Sequence, residues 1–181
     1  FPFSKRDMNI KVEEAREAAS QIGFPVVLKA QVLSGGRMKA GGVKFAACVD
    51  EVGEAAPNIL KLKIKGKTPA GIMVEPKCDV QQEYYLGVTY DAAAKLPIVI
   101  FSDLGGIDIE EAAERNPERV AKSHISVLLP FYNFQAKQIV SSVGITGRDL
   151  NPLTQILAKL VLTFLDYDLT LIEINPLAKL T

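Results

Sequence analysis

The chain has 181 residues, is 48% hydrophobic, and carries 21 basic and 21 acidic side chains. Such a length and apolar content suffice for a substantial core, and the balanced charge leaves no global basic field to draw in nucleic acid or an anionic membrane. The apolar runs fall far short of a membrane span, no charged-then-apolar leader opens the chain, and two cysteines without metal spacing, Cys48 and Cys78, argue against a disulfide framework or a zinc site.

Residues 12–22 place Val12, Ala15, Ala19 and Ile22 on one helical face, with Gly23 as the stop. Phe24-Pro25 breaks the helix, and VVLKAQV reads as a buried strand. A loop with the pairs Gly35-Gly36 and Gly41-Gly42 follows, after which GVKFAAC resumes as a strand with Val43 and Phe45 alternating against Lys44. Cys48 and Cys78 are expected as small core or strand residues in a reducing compartment. A helix is expected over about Val49–Leu60. In LKLKIKGK, Lys61, Lys63, Lys65 and Lys67 alternate with Leu62 and Ile64, and this period of two, the spacing of a strand, suggests a solvated lysine face rather than a phosphate or CoA contact. TPAGIMVE is the next strand, and QEYYLGVTYD and LPIVIFSD form two more, joined by DAAAK.

The stretch LGGIDIEEAAERNPERV turns through Gly105-Gly106 into a helix with an acidic start, interrupted at Asn116-Pro117. His124, the only histidine, has no cysteine or acid at metal spacing and reads as surface or packing. Ala136, Ile139, Val140 and Val143 form a helical stripe ended by Gly144. In NPLTQILAKLVLTFLDYD, Asn151 is expected to cap and Pro152 to take the first position, ahead of Leu153, Ile156, Leu157, Leu160, Val161 and Phe164 at core-facing spacing. LTLIEINPL closes the series as an apolar strand.

Hairpin-like strands with helices grouped between them argue for an α+β fold rather than a parallel doubly wound sheet. The glycine loop therefore joins two strands, whereas a Walker loop or a dinucleotide fingerprint needs its glycines to open a helix. A flexible loop of this kind can fold over a triphosphate, with glycine letting N–H groups approach, Arg37 and Lys39 offsetting charge, and Lys29 reaching from the sheet. The same residues also suit a tight turn with solvated cations. Glu75 and Glu83, near strand ends, suit either an adenine edge and ribose hydroxyls or an ordinary ion pair. Glu173 and Asn175, two apart, share a strand face, and a carboxylate beside an amide oxygen suits Mg²⁺, which shares its ligands with phosphates; a polar strand end before an Asn-Pro turn is the plainer account. Ser34 has no base partner at a readable spacing, which leaves serine-hydrolase chemistry without support.

Taken in order, VVLKAQVLSGGRMKAGGVK, MVEPKCDVQQEYYLGV, GGIDIEE and LIEINPL resemble the ATP-grasp domain of succinyl-CoA synthetase β subunits, over nearly the whole chain. Malate–CoA ligase, citryl-CoA synthetase and ATP-citrate lyase share much of the pattern. The resemblance implies a two-lobed α+β ATP-grasp fold whose largely antiparallel sheets clasp a nucleotide, with a smaller glycine-loop lobe over about 1–78 and a larger lobe over about 79–181. It implies an ADP- or GDP-forming succinate–CoA ligase, in which a phosphoryl group passes between ATP or GTP with Mg²⁺ and a phosphohistidine on a partner α subunit that also carries the CoA site. CoA is then a substrate of the whole enzyme. By the same resemblance Lys29, Gly36, Arg37 and Met38 hold phosphates, Glu75, Cys78 and Glu83 surround adenine and ribose, Asn175 is a magnesium ligand, and Glu173 meets the phosphohistidine.

No nucleic acid or membrane partner is implied, and the expected location is the cytoplasm, or alternatively the mitochondrial matrix. A reading of another class keeps the nucleotide clasp without metal chemistry, as a sensing or assembly module. Met38 stands where the family has glycine, which should stiffen the loop. A start at Phe1 without Met and a stop at Thr181 after an apolar run are expected of a piece truncated at both ends. An aspartate that is the family's second magnesium ligand, and a C-terminal CoA-ligase domain, would lie beyond it, so the fragment alone is expected to bind Mg-ATP weakly and not to turn over.

Overall fold

The computed structural model of the chain describes residues 7–9 and 11–181. They divide into two units, the first ending at Cys78 and the second spanning Asp79–Thr181. Among the described residues no helix is long and apolar enough to cross a membrane.

In the first unit, strands β1 (Asp7–Asn9), β2 (Val26–Gln31), β3 (Val43–Ala46) and β4 (Gly71–Pro76) form an antiparallel sheet in the order β1-β4-β2-β3. Helix α1 (Val12–Ile22) buries Ala15, Ala18 and Ala19 and ends at Gly23, whose φ of 92° turns the chain out of the helix. Helix α2 (Val49–Leu60) buries Val52, Ala56 and Ile59, one turn apart along its inner face. Both pack against the sheet face carrying Val26, Leu28, Ala30, Ile72 and Val74. Strand alternation sends Val27, Lys29, Met73 and Glu75 to the other face.

The second unit repeats the plan. Strands β5 (Val80–Asp91), β6 (Leu96–Ser102), β7 (Val120–His124) and β8 (Leu171–Leu180) form an antiparallel sheet in the order β7-β6-β5-β8. A short helix α3 (Ile109–Arg115), capped by Asp108 accepting from the Glu110 N–H, precedes a 3-10 turn at Pro117–Arg119. Helices α4 (Asn133–Ser142) and α5 (Gly147–Asp166) cover one sheet face, burying Ile139, Val140, Leu157, Val161 and Phe164 against Tyr84, Leu86, Val88, Val99 and Phe101. At the β5–β6 turn the Asp91 carboxylate accepts from the Ala93 and Ala94 N–H groups.

Several expectations are corrected by these elements. LKLKIKGK is not a strand: Ile64 pairs with Lys67 around Lys65 and Gly66, both at positive φ, so the apparent period of two belongs to a tight turn that buries Ile64. Its four lysines are exposed. Phe45 is exposed while Ala46 is buried, since β3 is an edge strand whose Phe45 lies opposite Val27 on the face away from α1 and α2. Cys48 and Cys78 are both exposed, one at the N-cap of α2 and the other just past β4. Helix α5 starts at Gly147 after Thr146, so Asn151 does not cap and Pro152 lies in the second turn. In the added first turn the Asp149 carboxylate accepts from Lys179 Nζ at 2.8 Å. Strands β1 and β7 carry no apolar alternation and were not anticipated.

Leu157 is fully buried beneath the sheet of the second unit. Leu157→Ala is expected to lower stability by about 2–5 kcal/mol, measured by denaturant unfolding followed with circular dichroism. Asp91 is held below the usual carboxylate range, first by the hydrogen bond from His124 and then by the Ala94 and Ala93 N–H groups. A carboxylate with a depressed folded pKa contributes stability above its ordinary pKa, which is lost as pH falls through the folded value. His124→Ala should therefore move the Asp91 midpoint upward, so that this contribution is lost at a higher pH, as read by carboxyl NMR titration.

Candidate functional site

In the first unit Lys29 lies opposite Met73, and Glu75 opposite Val27, which makes Lys29 and Glu75 diagonal neighbours on the face away from the helices. Lys29 Nζ pairs with Glu75 Oε1. The lysine side chain is 40% exposed and the glutamate 8%, so a buried carboxylate holds a lysine that is itself still partly exposed. A carboxylate this buried requires such a partner.

The glycine loop leaves β2 and returns as β3. Its tip is coiled: the Ala40 N–H donates to Gly36 O at 3.1 Å, the Gly41 N–H to Met38 O at 3.0 Å, and the Gly42 N–H to Arg37 O at 2.8 Å. The loop's positive φ angles fall on Gly36 and Gly41, so Met38 sits in an ordinary backbone region with its side chain 62% exposed. Arg37 and Lys39 are exposed beside it. Lys67 anchors the entry to the loop by donating to Leu33 O at 2.9 Å. Cys78 lies past the opposite end of β2, where the Lys77 N–H donates to Pro25 O, so Lys29 stands between the loop and Cys78 along one strand.

In the second unit Glu83, Tyr85 and Gly87 share the face of β5 that α4 and α5 leave uncovered, and Glu173 of β8 lies directly opposite Gly87. The Tyr85 O–H donates to Glu173 Oε2 at 3.1 Å. Burial pushes the Tyr85 phenol up strongly, and the Glu173 charge and hydrogen bond push it the same way. The 104–107 loop joins the remaining residues. Its Gly105 N–H donates to Glu83 O at 3.1 Å, its Gly106 N–H donates to Asn175 Oδ1 at 3.0 Å, and Asn175 Nδ2 donates to Ile107 O at 3.5 Å. Gly106 has φ of 72°, and a Cβ there would lie 2.5 Å from Glu83 Oε2. Glu83 and Asn175 are thus brought to one loop, and Glu173 is two residues from Asn175.

Sequence reasoning missed the groove beside this loop, a space of about 420 Å³ lined by Gln82, Glu83, Asp103, Leu104, Gly105 and Arg119. Arg119 forks onto Asp103, with Nε at 2.9 Å and Nη2 at 2.7 Å, and the Asp103 hydrogen bond raises the guanidinium pKa. Gln82 Nε2 donates to Asp103 O at 2.6 Å, and the buried Ser102 hydroxyl donates to Arg119 O at 2.8 Å while accepting from the Leu104 N–H. The only readable signal was a polar Ser-Asp pair ending an apolar strand.

Among the described residues no group of three or more His, Cys, Asp or Glu side chains could hold a metal ion. A hard cation that keeps water and phosphate oxygens needs fewer protein ligands, and the Asn175 amide oxygen has a second lone pair beyond the one taken by Gly106. Asn175 by itself therefore offers one oxygen to such a cation.

A family model of the ATP-grasp domain matches residues 2–179. The succinate–CoA ligase [ADP-forming] subunit beta of Natronomonas pharaonis is 40% identical over 177 residues, which cover 98% of this chain and 47% of that protein. The corresponding protein of Methanocaldococcus jannaschii is 43% identical over 152 residues, 84% of this chain and 42% of its own length. The succinate–CoA ligase [GDP-forming] subunit beta of Thermus thermophilus is 41% identical over 169 residues, 93% of this chain and 44% of its own. The chain spans about half the length of these relatives. Among solved structures, PH1788 from Pyrococcus horikoshii has a TM-score of 0.74 at 21% identity, covering 100% of this chain and 79% of its own. The dinucleotide-forming acetyl-coenzyme A synthetase 1 of Ca. Korarchaeum cryptofilum, in complex with coenzyme A and Ca-AMPCP, scores 0.72 at 22% identity, covering 98% and 80%. These structural likenesses concern the fold.

The 104–107 loop gives a direct test. Gly106→Ala is expected to cost about 1–2 kcal/mol through its backbone conformation alone. It should also shift the side-chain amide resonances of Asn175 in a ¹H–¹⁵N spectrum. Unchanged Asn175 resonances would show that the loop does not hold that side chain.

Proposed function

The chain belongs to the ATP-grasp family, and from that premise we propose that it is the nucleotide-binding part of the β subunit of an ADP- or GDP-forming succinate–CoA ligase. The observation that carries the reading is identity of 40% to such a subunit along 98% of this chain. In this reading the enzyme works with an α subunit that bears a phosphohistidine and the CoA site.

Within the first unit, an elongated ligand along β2 would meet the glycine loop and Arg37 at its phosphate end, Lys29 in the middle, and Glu75 and Cys78 toward its base. Lys29 is suited to the phosphates because Glu75 fixes its position without burying the lysine side chain. An ammonium already in place stabilises charge on a moving phosphoryl group without reorganising during the reaction. Within the second unit, Glu83 is the residue assigned to ribose. Asn175 would hold Mg²⁺, which when bound neutralises phosphate charge. Gly106 keeps the Asn175 oxygen pointed for that task. Glu173 would accept a hydrogen bond from the imidazole that carries the phosphoryl group.

The reading is tested on the native complex of this chain with its partner subunit, supplied with succinate, CoA and Mg-ATP or Mg-GTP. Succinyl-CoA should form together with the nucleoside diphosphate and phosphate. Lys29→Met should lower kcat by about a hundredfold, and should also lower the thermal midpoint because it leaves the buried Glu75 carboxylate unpaired. Absence of succinyl-CoA with either nucleotide would overturn the assignment, and full activity of Lys29→Met would overturn the role of that residue.

A further inference from the structure

Tyr85 is 4% exposed, yet its hydroxyl ends on the carboxylate of Glu173, an exposed residue of β8. The path between them exists because of Gly87. Gly87 follows Tyr85 on the same face of β5 and lies opposite Glu173, and a Cβ at position 87 would stand 2.6 Å from the Tyr85 hydroxyl oxygen and 3.0 Å from the ring. A missing side chain thus leaves a trough in which the phenol lies along the strand toward β8. The phenol keeps its proton, since burial and the neighbouring carboxylate both oppose ionisation, so it acts as a donor.

A glutamate has three rotatable bonds and no fixed direction on an open strand face. One hydrogen bond to Oε2 fixes its orientation and leaves Oε1 available. We propose that Tyr85 is the positioning residue for Glu173, lying in the trough left by Gly87 and holding the carboxylate so that its other oxygen receives the N–H of an incoming phosphohistidine ring. This inference rests on the functional reading above, in which Glu173 meets that ring. In transfer to the nucleoside diphosphate, the N–P bond breaks and its electron pair stays on the imidazole nitrogen. A β-phosphate oxygen forms the new O–P bond, and the other ring nitrogen keeps the proton that it shares with Glu173, so the ring leaves neutral.

The test uses the native complex with the partner subunit phosphorylated beforehand and mixed with Mg-ADP. ATP formation in a single turnover is followed by rapid quench, and the Kd for Mg-ADP is measured separately. Tyr85→Phe keeps the buried ring and should lower the transfer rate by about tenfold to a hundredfold, leaving Kd within about twofold. Gly87→Ala retains the hydroxyl but displaces it, and should lower the rate in the same way. Glu173→Gln should lower the rate further, and adding Tyr85→Phe to it should have no additional effect. A wild-type rate in both Tyr85→Phe and Gly87→Ala, with Glu173→Gln impaired, overturns the role of Tyr85 and leaves that of Glu173 standing. A wild-type rate in Glu173→Gln overturns the role of Glu173 and the inference with it, whereas absence of ATP formation in the unsubstituted complex overturns the functional reading itself. A weakening of Kd as large as the loss of rate would mark Tyr85 as a packing residue and overturn the inference.

Discussion

Alternate side chains of a strand point to opposite faces, and in both sheets of this protein one face is committed to helices. Every polar group that could do chemistry must then lie on the other face or in a loop at its edge. This constraint places Lys29 beside Glu75 in one unit, and Glu83, Tyr85 and Glu173 together in the other. A shift of one residue in either register would bury these charges against Leu and Val and send the core into water. The packing that makes the fold stable is therefore the same packing that gathers the candidate site.

Within that frame the side chains are set by hydrogen bonds of two kinds. Charged partners hold the first unit's candidates, with the glutamate buried and the lysine left accessible. Uncharged donors hold the second unit's candidates, with a backbone N–H of the 104–107 loop given to Asn175 and the Tyr85 hydroxyl given to Glu173. The loop is itself braced where Ser102 and the Arg119–Asp103 fork tie its start to the end of the 3-10 turn. Backbone donors cannot change rotamer, which makes them suited to a residue that must present one oxygen in one direction.

Much of the architecture was legible because long periodic segments carry their own signal. Helices α1, α2 and α4 and strands β2, β4, β5 and β6 follow from apolar spacing bounded by Gly or Pro. The failures share a physical origin. Strand β7 reads VAKSH, with no alternation, and forms because an edge strand needs hydrogen bonds on one side only. LKLKIKGK alternates in composition, yet positive φ at Lys65 and Gly66 folds it back on itself. Helix α5 starts a turn earlier than its apolar spacing, and the ionic partner of Asp149 in that turn, Lys179, lies 30 positions away, invisible to any local window. For the candidate site, the motifs pointed to residue types and order, but the Tyr85–Glu173 bond spans 88 positions and only the sheet register discloses it.

The two thiols of the chain, Cys48 and Cys78, are both exposed, and both fall in the unit that also carries the glycine loop. A maleimide dye would consequently decorate that half alone, at the amino end of α2 and just beyond β4. This chain thus carries two native attachment points for optical reporters, and a single serine replacement would leave one fluorophore at a chosen place in the first unit.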